Sequence, residues 1–172
     1  LVLKSDGTIW SWGSNTYGQL GQGIMGNKYS PVQVSDLNHI SSVKAGNEIS
    51  LGLKGDGTVW AWGNNLMLET GTLSHSFPKQ DSGLTDVNVI STSTHTGENG
   101  CLALKNSGAI ISTKTVRNWI YDSPEGWDSS LLREQVSGLG GIIDLSMGQN
   151  HDLFLKDNGT VWARGSNWSG QL

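Results

Sequence analysis

The residues that could do chemistry are dispersed along this chain rather than grouped. Histidines, which are frequent zinc ligands, have no metal-ligand spacing and lie at His39, His75, His95 and His151. The glutamates that could form acid–base pairs are equally scattered, at Glu48, Glu69, Glu98, Glu125 and Glu134. The sequence contains no G-x-S-x-G nucleophile elbow, phosphate-binding loop or dinucleotide fingerprint. It therefore predicts a protein that is not an enzyme and that holds neither a metal nor a cofactor.

The composition argues against two classes of partner. The 172 residues carry a net charge of −4 and no run of lysine or arginine, whereas a nucleic-acid surface needs clustered positive charge. No stretch approaches the roughly 18 consecutive apolar residues of a membrane span. The single cysteine, Cys101, excludes an internal disulfide. We therefore predict no nucleic-acid binding and no membrane insertion.

One short phrase, Leu-x-Leu-Lys followed by a glycine-containing turn, occurs four times and organises the chain. Its lysines lie at positions 4, 54, 105 and 156, so the successive steps are 50, 51 and 51 residues. A fixed period in this range indicates a repeat protein, in which each unit packs on its neighbours. The 24 glycines and 8 tryptophans suit short strands joined by tight turns.

Each copy of the phrase predicts a β-hairpin. The turn pairs, flanked by alternating apolar residues, are Asp6-Gly7, Asp56-Gly57, Ser107-Gly108 and Asn158-Gly159. Such pairs favour a two-residue type I′ turn, which requires positive φ at both central positions. Another apolar segment precedes each complete hairpin and a short extended one follows it. About four strands in about 50 residues predict one blade of an all-β propeller, because blades are four-stranded sheets.

The aromatic residues fall into two sets. One set recurs on the strand after the turn, which predicts burial in the blade core: Trp10, Trp12, Trp60, Trp62 and Trp162. The other set falls in predicted loops and comprises Trp119, Tyr121, Trp127, Trp168, Tyr17 and Tyr29. Exposed aromatic side chains anchor protein interfaces or stack on sugars, and they also cover the loops that carry them. We take the second set as the candidate binding residues.

These motifs resemble the repeat of the regulator of chromosome condensation family. The matching stretches are Ala45-Gly46, the run from Asp56 to Asn64, Gly18-Gln19-Leu20-Gly21 and Gly170-Gln171-Leu172. The resemblance covers the whole chain, and the style of the repeats looks most like bacterial members, often on secreted or surface proteins. It implies a propeller, usually seven-bladed, that binds proteins. Relatives include an exchange factor for a nuclear GTPase, modules of ubiquitin ligases and hydrolase inhibitors.

The third copy departs from the family pattern. Ile111 and Thr113 stand where the tryptophan pair is expected, and Lys114 replaces the glycine that follows. The linker predicted over residues 115–132 has lost the Gly-Gln-Leu-Gly motif and gained three of the candidate aromatic residues. The family histidine is kept only at His151. We therefore expect function first at this degenerate copy.

The phase of the repeat predicts an arc of blades that is incomplete at both ends. The predicted boundaries are 1–36, lacking the first strand, 37–82, 83–138 and 139–172, lacking the last strand. Since open sheet edges are hazards that stable proteins cover, we expect a piece of a larger propeller. The alternative is self-association, in which chains complete one another's ring.

The sequence as a whole favours a non-catalytic protein–protein interaction or scaffold module whose partner is a protein of unknown identity. A carbohydrate-binding module and a structural unit of a surface protein are the alternatives. The style of the repeats favours a secreted or cell-surface location in a bacterium.

Overall fold

The computed structural model describes residues 1–64, 75–93, 100–119 and 127–172, and for 114–119 and 127–131 it describes the backbone alone. Within these ranges the chain is all-β, with 14 strands in four antiparallel sheets. The described residues form no helix, and therefore none that could cross a membrane.

Each sheet is a meander of strands that neighbour one another in chain order. The first sheet contains β1 (Val2–Leu3), β2 (Ile9–Gly13) and β3 (Lys28–Gln33). The second contains β4 (Ile40–Ala45), β5 (Ile49–Lys54), β6 (Val59–Gly63) and β7 (His75–Gln80). The third contains β8 (Val87–Thr92), β9 (Gly100–Lys105), β10 (Ile110–Trp119) and β11 (Trp127–Val136). The fourth contains β12 (Ile142–Met147), β13 (His151–Lys156) and β14 (Val161–Gly165).

The all-β fold class predicted from the repeat is confirmed. The two middle sheets have four strands and the two outer sheets have three. The residue boundaries proposed for the individual blades stay a prediction.

The hairpin turns do not have the predicted type I′ geometry. In the first turn Gly7 N donates to Lys4 O at 2.9 Å, and Lys4 N donates to Thr8 O at 2.9 Å. Gly7 has a φ of +80°, whereas Asp6 does not have a positive φ. The geometry is that of a type I turn followed by a left-handed glycine bulge. The prediction was wrong because the Asp6 carboxylate accepts from Thr8 N at 3.0 Å and from Thr8 Oγ1 at 2.6 Å, which favours this turn.

The repeated phrase is a self-contained network of side chains on its hairpin. Trp10 Nε1 donates to Thr8 Oγ1 at 3.2 Å, and Lys4 Nζ lies 5.7 Å from the centroid of the Trp10 ring. The same cation–π pair recurs in the second and fourth sheets, between Lys54 and Trp60 at 4.4 Å and between Lys156 and Trp162 at 4.7 Å. The lysine of the phrase therefore covers the tryptophan of the next strand.

Three hydrophobic clusters lie between successive sheets, and we call these regions the first, second and third junctions. The first junction contains Ile9, Val34, Leu37, Ile40 and Trp62. The second contains Ile49, Leu51, Leu53, Val59, Ala61, Leu84, Val87, Ile90, Cys101 and Ala103. The third contains Leu102, Leu104, Ile110, Ile142, Leu145, Met147 and Phe154. Each sheet is stabilised by burying one face against the next.

The prediction that all the recurrent tryptophans form blade core was wrong in part. Trp62 is fully buried, whereas Trp12 is 45% exposed and Trp162 is 51% exposed. Trp12 holds the position of Trp62 one repeat earlier, on the face of the first sheet that points away from the second. Trp162 lies on β14, the edge strand of the fourth sheet. The remaining two, Trp10 and Trp60, are half-buried.

The segment predicted as a linker in the third repeat, 115–132, is mostly strand. β10 and β11 pair from Ile110↔Val136 to Trp119↔Trp127, which makes a hairpin longer than its counterparts. β2 and β6 end at Gly13 and Gly63, whose φ values are +108° and +103°. Position 114 holds lysine instead, so no left-handed glycine ends the third strand there and pairing continues.

A buried ion pair crosses the second junction. Arg133 Nη2 donates to both carboxylate oxygens of Asp81, at 2.9 and 2.8 Å, and the Asp81 side chain is only 3% exposed. The equivalent positions in the other repeats hold valine, at Val34 and Val136. The neighbouring sheet therefore supplies the cation that neutralises a carboxylate at a core position.

Candidate functional site

Loops and hairpin turns lie at opposite ends of the sheets. Every repeated turn, such as residues 4–8, joins the second and third strand positions of its sheet at one end. The other end carries residues 14–27, 46–48, 148–150 and 166–172, together with the far end of the β10–β11 hairpin. We call this second end the loop end, and all the candidate aromatic residues in the described chain lie there.

Asn15 fixes the first loop, which we define as residues 14–27. Its side chain is fully buried. Nδ2 donates to Ile24 O at 2.7 Å and to Gly26 O at 3.2 Å, and Oδ1 accepts from Leu20 N at 3.0 Å. One buried amide therefore ties both halves of the loop together, because it satisfies backbone groups that would otherwise lack partners.

The first loop closes the first junction. Ser11 Oγ donates to Leu20 O at 2.8 Å, and Ser50 Oγ of the second sheet donates to Gln19 O at 2.8 Å. Gly21, with a φ of +71°, lies against the Trp62 ring so closely that an added Cβ would be 2.8 Å from Trp62 Nε1. Trp62 Nε1 itself has no hydrogen-bond partner. The two serine hydroxyl groups at this junction therefore have backbone carbonyl groups of the first loop as their acceptors.

The first loop also presents apolar side chains to solvent. Ile24 and Met25 are each 56% exposed, and Phe77 at the start of the neighbouring β7 is 52% exposed. Gly23 N donates to Ser76 O at 2.8 Å, which fastens the loop to the second sheet beside Phe77. Tyr29, where β3 begins, is 92% exposed. Exposed apolar groups on a fixed loop suit a protein interface.

The third junction opens into a cavity of about 620 Å³ at the loop end. Its lining residues that carry charge or aromatic character are Glu134 of the third sheet and His151, Asp152, Arg164 and Trp168 of the fourth. In the first junction the corresponding space is filled by the first loop and Trp62. The third repeat has no Gly-Gln-Leu-Gly motif to provide such a loop.

Arg164, one of the residues that line this cavity, stands at a strand position that holds tryptophan in the first and second repeats. It occupies the strand position of Trp62 and lies directly across the ladder from Asp152, as Trp62 does from Ser50. Arg164 Nε donates to Asp152 Oδ2 at 2.9 Å, and Nη1 lies 3.7 Å from Glu134 Oε1. Nη2 is buried and has no hydrogen-bond partner. The pair therefore neutralises the buried carboxylate but leaves one strong donor unused.

Ser112 is a second unused donor at the third junction. Its residue is fully buried, and its Oγ has no hydrogen-bond partner. Ser112 is the counterpart of Ser11, and it lies opposite Glu134 of the cavity wall in the β10–β11 ladder. Because a buried hydroxyl without a partner is costly, this one is a notable exception. Ser112, Arg164 and Asp152 were not among the site residues predicted from the sequence. The available signal was the replacement of tryptophan by arginine in the fourth copy, next to a third copy without its loop motif.

The loop after β14, residues 166–172, which we call the fourth loop, repeats the hydrogen-bond geometry of the first loop. Asn167 Oδ1 accepts from Leu172 N at 3.0 Å, and Gln171 Oε1 accepts from Ser169 N at 2.9 Å. The matching distances at Asn15 and Gln19 are 3.0 and 3.0 Å. The Asn-x-x-Gly-Gln-Leu motif therefore specifies the loop conformation by itself.

Among the predicted aromatic residues whose side chains are described, Tyr17 and Tyr29 belong to the first sheet and its loop, whereas Trp168 follows the fourth sheet. Trp168 is 96% exposed and lines the cavity of the third junction. Trp119 and Trp127 face each other across the β10–β11 ladder by their backbone positions. Tyr17 is 38% exposed and belongs, like Tyr29, to the first sheet and its loop. Tyr121 lies outside the described residues, so these binding residues stay a prediction.

The described side chains show no arrangement typical of metal binding. No three His, Cys, Asp or Glu side chains in that part of the chain are grouped to hold an ion. Burial, reinforced by the nearby Asp81 carboxylate, raises the pKa of the Cys101 thiol to about 12. That thiol is therefore protonated at neutral pH and a poor nucleophile. Burial and the nearby Lys79 lower the pKa of His75.

Comparison with family models identifies two repeats. One model, described as the regulator of chromosome condensation (RCC1) repeat, matches residues 6–53. A second model of the same repeat matches residues 40–67. These stretches include the first loop and the repeated hairpin of the second sheet.

Comparison with solved structures extends the match over the whole chain. Human WBSCR16 has a TM-score of 0.74 at 22% identity, over 96% of this chain and 44% of its own. Yeast RCC1 (Prp20), in a structure bound to Kap60, has a TM-score of 0.70 at 18% identity, over 93% of this chain and 40% of its own. Prp20p from Saccharomyces cerevisiae, in a study of its binding to Gsp1p and histones, has a TM-score of 0.69 at 20% identity, over 95% and 42%.

The matches confirm the propeller architecture, and the chain spans less than half the length of these structures. They favour neither the carbohydrate-binding nor the surface-protein alternative, and they lend no support to a bacterial or secreted origin. Residues 6–67 thus match models of the regulator of chromosome condensation repeat, and the four antiparallel sheets of the described chain have the fold of propellers built from that repeat.

Proposed function

We propose that this chain is a non-catalytic protein-interaction module whose loop end is the binding face. The observation that carries the proposal is the set of exposed apolar and aromatic side chains on fixed loops at that end. The members described above are Ile24, Met25, Tyr29, Phe77 and Trp168, each more than half exposed.

The rigidity of the loops supports this proposal. Asn15 and Asn167 hold their loops through hydrogen bonds to backbone groups, so little conformational entropy remains to be lost on binding. The opposite end carries tight turns with polar residues such as Asp6, Asp56 and Asn158. The similar yeast proteins bind proteins, Kap60 in one structure and Gsp1p and histones in the study of the other, which agrees with a protein-binding role for this chain.

The test is a comparison of matched surface variants. Partners captured from the source cells by the intact chain are identified by mass spectrometry, and their affinity is then measured with purified protein. We expect Trp168→Ala or Met25→Ser to weaken binding by at least about tenfold, since aromatic and apolar anchors carry most interface energy. Val2→Ser, which removes another exposed apolar side chain away from the loops, is the control. Equal affinity of all variants would refute the loop end as the binding face.

A further inference from the structure

We propose that the cavity of the third junction binds a lysine side chain of the protein partner. This inference rests on the proposed function and names the chemistry that the partner presents at one position of the loop end. The carboxylates of Asp152 and Glu134 hold the ammonium group, and the ring of Trp168 covers the side chain. All three residues line the cavity, so a ligand inside it reaches them.

The charged residues of the cavity wall leave a negative excess. Among the described residues that line it, Asp152 and Glu134 carry carboxylates and Arg164 carries a guanidinium. The guanidinium lies nearer to one carboxylate than to the other, because Nε is 2.9 Å from Asp152 Oδ2 whereas Nη1 is 3.7 Å from Glu134 Oε1. One bound cation would balance the excess, and a cavity lined by a net negative charge attracts cations.

Both carboxylates can still accept hydrogen bonds. The Asp152 side chain is 8% exposed, and it accepts from Arg164 through Oδ2, while Oδ1 accepts from no described residue. The Glu134 side chain is 48% exposed, and its distance of 3.7 Å from Arg164 is too long for a hydrogen bond. The two residues belong to different sheets, on β13 and β11. A donor in the cavity therefore finds carboxylate oxygens on both walls.

This arrangement favours an ammonium group over a guanidinium. A guanidinium binds best to both oxygens of one carboxylate, and Asp152 already gives one of its oxygens to Arg164. An ammonium group has several N–H donors on a single nitrogen, so it can bridge single oxygens of two carboxylates. Lysine is therefore the cationic side chain that fits the acceptors of the cavity.

Trp168 suits the rest of a lysine side chain. Its ring is 96% exposed at the cavity, so it is available both to the aliphatic stem and to the charge. The chain itself pairs lysine with tryptophan in the same way, with Lys54 Nζ 4.4 Å from the centroid of the Trp60 ring. The cavity volume of about 620 Å³ lies within the range of pockets that hold small ligands.

The first junction offers no such site. Its facing pair at the same strand positions is Ser50–Trp62, which carries no charge, whereas the pair in the third junction is Asp152–Arg164. Trp62 is fully buried there, so its ring is not available to a ligand. Lysine binding is thus expected at the third junction and not at the first.

The probe is lysine with both backbone ends blocked, Nα-acetyl-lysine N-methylamide. Binding to the full chain is followed by NMR through the indole N–H signals, and Trp168→Phe identifies the signal of Trp168. We expect a saturable shift of that signal, with a dissociation constant of roughly millimolar order because a single side chain is bound. The same compound made from norleucine keeps the stem but lacks the ammonium group, and we expect it not to bind.

A pair of charge-removing variants locates the site. Glu134→Gln should weaken the lysine compound by about fivefold, because it removes one of the two charged acceptors. The fold should persist, since Glu134 is 48% exposed. Glu48→Gln makes the same change at the loop end of the second sheet, outside the cavity wall, and should leave the affinity unchanged. The affinity for the captured partner should follow the same order, and acetylating the partner's lysines should weaken it.

Four results would overturn the proposal. They are the absence of a saturable shift, equal binding of the norleucine compound, equal affinity for wild type and Glu134→Gln, and tighter binding of the arginine compound, which would assign the cavity to a guanidinium. If partner binding depends on Met25 and Trp168 but not on Glu134, this inference fails and the proposed function stands.

Discussion

The first and third junctions each pack two sheets face to face, but they differ at the loop end. The first is closed by an ordered loop, held by buried Asn15, that covers a fully buried tryptophan and accepts hydrogen bonds from two serines. The third belongs to a repeat without the Gly-Gln-Leu-Gly motif, has Arg164 in place of the tryptophan, and contains a cavity that Arg164 lines. Both junctions lie between antiparallel sheets whose strands neighbour one another in chain order.

The comparison indicates that packing between the sheets determines the arc of blades, whereas the loops determine whether a junction is closed or contains a cavity. Because each blade packs only on its neighbours, one junction can lose its loop without disturbing the others. The degenerate repeat keeps its apolar cluster, with Leu102 and Phe154 buried, although its strand has lost the tryptophan pair and its loop motif is absent from the sequence.

The largest expected effect comes from removing the tryptophan that closes the first junction. Trp62→Ala should lower the free energy of unfolding by about 3–5 kcal/mol, because a fully buried indole leaves a large cavity. Trp12→Ala, at the same strand position but 45% exposed, should cost about 1 kcal/mol. Urea denaturation followed by circular dichroism measures both. Equal losses would contradict the assignment of Trp62 as the closing residue.

The second prediction compares the stability that the first and fourth loops contribute, since both contain the Asn-x-x-Gly-Gln-Leu motif. Asn15→Ala should cost about 2–3 kcal/mol, because it removes three hydrogen bonds and leaves buried backbone groups without partners. Asn167→Ala makes the same change in the exposed fourth loop and should cost at most about 0.5 kcal/mol. Thermal denaturation of the two variants provides the comparison. A larger loss at Asn167 would mean that the fourth loop, not the first, supports the fold.

A smaller effect tests whether the third junction can be converted into the first. Arg164→Trp should cost about 2 kcal/mol, because Asp152 would remain buried without its cation. The arginine is one-third exposed, which makes this less than the loss of a fully buried pair. Adding Asp152→Ser, which recreates the Ser50–Trp62 pair, should restore part of that stability. Additive losses in this double-mutant cycle would show that the two positions are not coupled.

The smallest effect concerns the turns at the opposite end. Hydrogen bonds from the Thr8 hydroxyl and amide lower the pKa of Asp6 from 3.8 to about 2, and the same contacts from Thr58 lower the pKa of Asp56. Because the pKa of each carboxyl group is lower in the folded chain than in the unfolded chain, its charged form stabilises the fold at any pH above the ordinary pKa. That contribution disappears as the pH falls toward 2. NMR titration of the carboxyl carbons should show both values below 3.8. The fourth turn holds Asn158 and should show no such titration, and an ordinary pKa at Asp6 would contradict the turn geometry.

The sequence predicted the elements better than the site. The recurrence of the Leu-x-Leu-Lys phrase located the four repeated hairpins, because alternation and glycine turns are local signals. The turn type was wrong because the carboxylate of Asp6 contacts Thr8, an interaction that the dipeptide alone does not specify. The burial of Trp62 but not of Trp12 depends on a neighbouring sheet, which no local pattern reports.

The cavity was harder to predict because it arises from what a repeat lacks. The loss of the loop motif and the arginine lie in successive repeats, the third and the fourth, and they meet only across a junction. The aromatic residues were predicted as binding residues from their residue type. Among those with described side chains, only Trp168 lines the cavity. Ser112 was inconspicuous, since its importance comes from the absence of an acceptor.

The central claim is that the loop end binds a protein, and hydrogen exchange of the complex tests it most directly. Amide exchange is measured by mass spectrometry for the chain alone and with its captured partner. The account predicts slower exchange at the loop end, over residues 15–27, 147–151 and 165–171, and unchanged exchange at the turns 4–8, 54–58 and 156–160. Protection of the turns with no change at the loop end would contradict it.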